Sequence, residues 1–300
     1  MADEKTCPNC KRLVDAGAEW CPNCGANLAS VGPDQGPQAP QQQWQGQYPP
    51  QQPRDTSPEG RIREAVRWRS STDEELSQIW AFLPVLAVVL NIAIVGGVSL
   101  LVGPGDWAVM TGVGIAVNIV VLVLFVLLLY KLFNRNNMHT RREGMLREAV
   151  IDYFKKKGTE TGVSDQMSSQ IQTMESIHYD SRSNESETSL VWAILPIIPL
   201  VGWIFLLIDL YFLTKYPPEH DRRWHAFTQQ VQAAGSQLGM TVVLPSWKTL
   251  PSRSFAIYLI LSIVTFGIFI IYWYWILIKD MNDHFRAQWQ FEDQLLNEMQ

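Results

Sequence analysis

All four cysteines fall within the first 24 residues, as two identical knuckles, Cys7-Pro8-Asn9-Cys10 and Cys21-Pro22-Asn23-Cys24, with ten residues between them. Two Cys-x-x-Cys pairs can present four thiolates tetrahedrally to one Zn(2+) ion. Pro8 and Pro22 stiffen the two turns, and Gly25 can take the positive-φ conformation that closes one. A unit of this size cannot bury enough apolar surface to fold alone, so metal binding must supply most of its folding energy. The expected cofactor is structural zinc, with an iron site of rubredoxin type using the same four-thiolate geometry as the alternative. Four thiolates leave no open coordination position, which argues against a catalytic metal. Thiolates held reduced place this end of the chain in the cytosol.

The remaining candidate chemistry is sparse. Three of the five histidines, His139, His220 and His284, each lie seven residues after a leucine (Leu132, Leu213, Leu277), and each is followed two residues later by an arginine. Together with Arg141, Arg142, Arg222, Arg223 and Arg286 they could hold lipid phosphates or another anionic ligand. The plainer reading is positive charge on the cytosolic side and compensation of helix C-termini. Asp209 is the only carboxylate inside an apolar run, which makes it a candidate for a proton relay. Asn91 and Asn118 lie in two apolar runs, where hydrogen bonding between helices is the expected role. A glycine-rich phosphate loop, an H-E-x-x-H motif and a G-x-S-x-G elbow are all absent from the sequence. The chain reads as a non-enzyme.

The elements that must carry these residues follow from where charge is missing. Residues 79–102 and 107–130 hold no charged side chain, and each run is long enough to span a bilayer as a helix. The connection Gly103-Pro104-Gly105-Asp106 lacks Lys and Arg, whereas arginines precede the pair and Lys131, Arg135, Arg141, Arg142 and Arg147 follow it. The positive-inside rule puts both flanks in the cytosol. Two further apolar runs, about 190–214 and 254–279, are interrupted near their centres by Pro199-Leu200-Val201-Gly202 and Thr265-Phe266-Gly267. Each is either a single kinked helix or a short hairpin that enters and leaves on the cytosolic face. The charge rule favours the hairpin, because residues 215–253 carry Lys215, Arg222, Arg223, Lys248 and Arg253.

The strongest pattern is self-similarity. Trp80-Ala-Phe-Leu-Pro84 returns as Trp192-Ala-Ile-Leu-Pro196, and the leucine-to-histidine interval returns three times. Three copies of one unit are expected, each a membrane hairpin followed by a basic cytosolic helix. Upstream, residues 31–58 are more than half Gln and Pro, with no apolar periodicity, and read as a semi-extended tether. A helix follows, with Ser57 as N-cap and Pro58 at its first position; Arg61, Arg63, Arg67 and Arg69 suit it to an anionic membrane surface. Met167, Ile171, Met174 and Ile177 in segment 166–188 recur at helical spacing, as a coiled-coil or partner helix or as a solvated loop.

Two resemblances follow from these residues. The Cys7/Cys10/Cys21/Cys24 block resembles the short zinc ribbons found at the termini of prokaryotic proteins. The run Ser262-Ile-Val-Thr-Phe-Gly-Ile268, the Tyr-Trp pairs and the exit Lys279-Asp-Met-Asn282 resemble a prokaryotic membrane-domain family of unknown function, which implies membrane location and no particular chemistry.

The chain-wide averages, 47% hydrophobic residues and a net charge of −5, describe no single part of this layout. The expected fold is a mostly α integral membrane protein of helical hairpins, with two clear spans, two shorter or kinked apolar segments and a small β-hairpin zinc ribbon. Its expected parts are the ribbon (1–28), the linker (29–58), a basic juxtamembrane helix (59–72), repeat 1 (73–160), a polar linker or helix (161–188), repeat 2 (189–245) and repeat 3 (246–300). It is expected in the cell membrane, multi-pass, with the N-terminus and most polar segments cytosolic. Expected partners are the lipid bilayer and a protein bound through the ribbon. Nucleic acid is unlikely, since residues 1–27 hold no basic patch. The expected role is a ribbon-bearing anchor that scaffolds or shapes membrane. The alternatives are a small transporter or channel subunit, which would need a homo-oligomer, and a regulator working through the ribbon.

Overall fold

The structure, a computed structural model, describes residues 4–6, 13–15, 55–102, 107–184, 190–242 and 249–299. It divides into two units, Met1–Gln52 and Pro53–Gln300. In the first, strands β1 (Glu4–Thr6) and β2 (Leu13–Asp15) pair antiparallel with Glu4 opposite Asp15. This agrees with the expected hairpin; the four cysteines lie outside the described residues.

The second unit is helical. Helix α1 (Pro58–Thr72) starts as the sequence predicts: the Gly60 N–H donates to Ser57 Oγ at 3.0 Å, and proline opens the first turn. Its apolar face does not lie on lipid. Ile62, Ala65 and Val66 are buried against Leu146, Ala149 and Val150 of the protein core, while Arg61 and Arg69 pair with Asp152 and Asp293. An apolar stripe fits protein or lipid equally well, so the sequence alone could not separate the two.

Helices α2 (Leu83–Val102) and α3 (Trp107–Thr161) form the first hairpin, and Asn91 Nδ2 donates to Asn118 Oδ1 across it at 2.9 Å. The 55 residues of α3 make a rod about 80 Å long. It runs from the apolar run far into the polar part of the protein. Of the two expected spans, α3 alone is by itself long and apolar enough to cross a membrane. The run Gln78–Val98 qualifies only as a pair of helices bent by 43°.

The second and third apolar runs are hairpins, not single kinked helices. In the third, α6 (Phe255–Val264) reverses into α7 (Phe269–Glu298) through Phe266 and Gly267, whose φ angles are +51° and +88°. Arg253 bonds Asp280 with both carboxylate oxygens, and Tyr258 packs on Phe269 and Trp273, so the two limbs run antiparallel. Ten residues give α6 only about 15 Å, half of a ~30 Å hydrocarbon core. In the second, 3-10 turns at Leu190–Ala193 and Leu195–Ile197 lead through Leu200 (φ +69°) into α5 (Gly202–Gln237). Trp192 packs back onto Phe205 and Phe212. The tips expose Leu200 (92%) and Phe266 (98%). The polar segment after repeat 1 becomes α4 (Ser164–Asn184), whose Met167 and Met174 are buried in the same core as α1. This settles it as a packed helix.

Each hairpin sends its second limb (α3, α5, α7) onward into a common bundle. One apolar layer contains Leu132, Leu213 and Leu277, and a second contains Leu146, Phe227 and Phe291. The residues midway between, seven positions from each layer, are His139, His220 and His284. Two helical turns span about seven residues, so the three histidines fall on the same inward faces as the layers above and below.

Candidate functional site

The three histidines meet. His139 Nε2 lies 3.1 Å from His220 Nε2 and 3.2 Å from His284 Nε2. Glu143, one turn after His139 on α3, brings its Oε2 to 3.2 Å from His139 Nε2 and 2.9 Å from His220 Nε2. One ligand atom from each of the four residues lies within 4.8 Å of the others, and all four side chains are buried. Arg147, a further turn along, pairs with the other oxygen, Oε1, and rests over the Trp224 and Phe227 rings.

Two carboxylates set the rings from behind. His139 Nδ1 is 3.0 Å from Asp73 Oδ1, and His284 Nδ1 is 2.8 Å from Asp221 Oδ1. Burial by itself would raise both carboxyl groups. His139, Arg142 and Trp289 around Asp73, and His284 and the Leu250 N–H on Asp221, outweigh it and hold both below the ordinary carboxylate range. A carboxylate oxygen faces each Nδ1, an arrangement that favours the tautomer with its proton on Nδ1 and turns Nε2 of His139 and His284 toward the centre. Burial also disfavours a charged His284, whose pKa is lowered. Tyr216 stacks on His220 at 5.1 Å and closes that side.

The arginines expected at an anionic headgroup divide. Arg142 is fully buried and bonds Asp73 and Glu292. Arg223 bonds Asp180, and Arg286 bonds Glu75 with both oxygens. Arg141 and Arg222 are exposed. His139, His220 and His284 are buried, and Arg142, Arg223 and Arg286 pair with the protein's own carboxylates. Asp209 is fully buried in α5, and neither oxygen has a hydrogen-bond partner among the described residues.

Sequence reasoning missed Glu143, Asp73 and Asp221. The first was detectable as His139-x-x-x-Glu143, two ligand types on one helical face. The other two had no such signal, because Asp73 sits in the connection after α1 and its meeting with His139 is tertiary.

Comparison with family models gives two partial matches. Residues 3–28 match the zinc-ribbon domain, which covers all four cysteines and the β1–β2 pair. Residues 253–293 match the domain of unknown function DUF4234, from Arg253 through the α6–α7 hairpin and past His284. No curated protein and no solved structure matches. The chain therefore joins a zinc-ribbon domain to an uncharacterised domain, and the ribbon match suggests zinc binding in residues 3–28.

Proposed function

We propose that this chain is a non-enzymatic, cytosol-facing membrane protein that presents its zinc ribbon, on the Gln/Pro tether, as a capture module for a protein partner. The observation that carries the reading is the meeting of His139, His220 and His284 in one buried centre. Three helices that leave three apolar hairpins and then join side by side must leave on the same face. One full hairpin and two short wedges satisfy that condition; four consecutive spans do not. The same arrangement removes the conflict with the positive-inside rule, since Lys215, Arg222, Arg223 and Arg253 then stay with the other basic segments.

Labelling with a membrane-impermeant thiol reagent tests this. In a background with the four native cysteines replaced by serine, Ser236→Cys and Asn297→Cys should stay unlabelled in intact cells and react after permeabilisation. A cysteine in the 103–106 connection should react in intact cells. Labelling at position 236 in intact cells overturns the reading. Asp209 supports a second reading, a small transporter, because a buried unpartnered carboxylate is what an ion or proton path requires. Solute flux in proteoliposomes, lost on Asp209→Asn, would favour it over the anchor.

A further inference from the structure

We infer that His139, Glu143, His220 and His284 form a second metal site, distinct from the ribbon, that holds a divalent zinc-class ion and clasps the three hairpins together.

The first argument is how the rings face. Asp73 Oδ1 and Asp221 Oδ1 stand 3.0 and 2.8 Å behind the Nδ1 atoms of His139 and His284, and the two Nε2 atoms point at each other across 3.2 Å. Glu143 Oε2, an acceptor, faces two of the Nε2 atoms, and it receives no well-directed hydrogen bond from either. A cation at the centre makes every one of these inward atoms a ligand.

The second argument is size. Tetrahedral ligands about 2.0–2.1 Å from zinc stand about 3.3 Å from one another. Four of the six ligand–ligand separations, at 3.1, 3.2, 3.2 and 2.9 Å, are edges of nearly that length, and all four atoms lie within 4.8 Å of one another. The third is donor chemistry. Three imidazoles and one carboxylate suit zinc, cobalt, nickel or iron(II), whereas calcium and magnesium take oxygen ligands. The fourth is the support behind the ligands: Asp73 and Asp221 make two carboxylate–histidine pairs, and Arg147 holds Glu143 Oε1 so that Oε2 points inward.

The ligands come from α3, α5 and α7, one helix per repeat, between two apolar layers. Four protein ligands fill a tetrahedron, so the ion is structural. The supporting carboxylates extend the clasp: Asp221 Oδ2 accepts the Leu250 N–H in the segment leading to α6, and Asp73 caps α1. Occupancy would thereby fasten the start of repeat 1 and the start of repeat 3.

The test uses the full chain in detergent, carrying Cys7→Ser, Cys10→Ser, Cys21→Ser and Cys24→Ser so that the ribbon holds nothing. This protein should purify with about one zinc per chain, and the native chain with about two. Cobalt(II) should displace it with visible bands of a tetrahedral nitrogen/oxygen site and without thiolate charge transfer. Adding His284→Ala should abolish the bands. Asp221→Asn, which keeps the shape, should weaken cobalt binding by about 10- to 100-fold. A serine-substituted chain that is folded by circular dichroism yet holds no zinc and develops no cobalt bands overturns the proposal. So does full binding by the His284→Ala protein.

Discussion

At the residue scale, the bundle rests on one repeated triplet. Leu132–His139–Leu146, Leu213–His220–Phe227 and Leu277–His284–Phe291 each bury three side chains at seven-residue spacing. The histidine and leucine of each triplet are visible in the sequence as an interval. What the sequence does not carry is that the three intervals face one another, because periodicity fixes the inward side of a helix and not its partner. Phe227 is fully buried beside Trp224, so Phe227→Ala should cost about 3–5 kcal/mol in stability, read from the shift of a chemical or thermal unfolding midpoint. Asp209 predicts the opposite sign. Its unpartnered oxygens are a desolvation cost, so Asp209→Leu should raise stability by about 1–3 kcal/mol. A lowered melting temperature would mean that the carboxylate holds something.

At the element scale, the hairpins depend on backbone that few residues tolerate. An added Cβ at Gly267 would meet only Ile270 Cδ1, at an ordinary 4.0 Å, but the φ is +88°, so Gly267→Ala should cost about 1 kcal/mol through strain. Gly202 is more tightly confined, because an added Cβ would collide with the Pro196 carbonyl oxygen. Gly202→Ala should therefore lower the melting temperature more than Gly267→Ala; the reverse order would show that the second hairpin is looser than described. Both breaks are legible as Pro/Gly interruptions in apolar runs. The identity of each break as a reversal is not, since a kink and a reversal use the same residues. It is decided by Arg253 reaching Asp280 and Trp192 reaching Phe205, contacts between segments. Helix α1 teaches the same lesson in reverse: its N-cap and extent are local and were legible, while the surface that covers Ile62 is not.

At the scale of the whole molecule, the chain combines two metal-dependent parts of different chemistry. The ribbon offers four cysteines and matches a zinc-ribbon family model, so the ribbon was readable from spacing alone. The bundle offers imidazoles from three places as far as 145 residues apart, which only folding brings together. Removing metal should accordingly affect the two parts separately. A chelator should unfold the ribbon outright, because a unit of its length depends on metal for most of its folding energy. The bundle should lose stability while keeping its helices, because its two apolar layers remain. In the proposed arrangement three hairpins leave one face and close around a single ion. Zinc X-ray absorption on the four-cysteine-to-serine chain tests it most directly. The prediction is a first shell of nitrogen and oxygen only, at about 2.0–2.1 Å, with the outer-shell scattering of imidazole. A protein without zinc, or a spectrum without imidazole scattering, would contradict it.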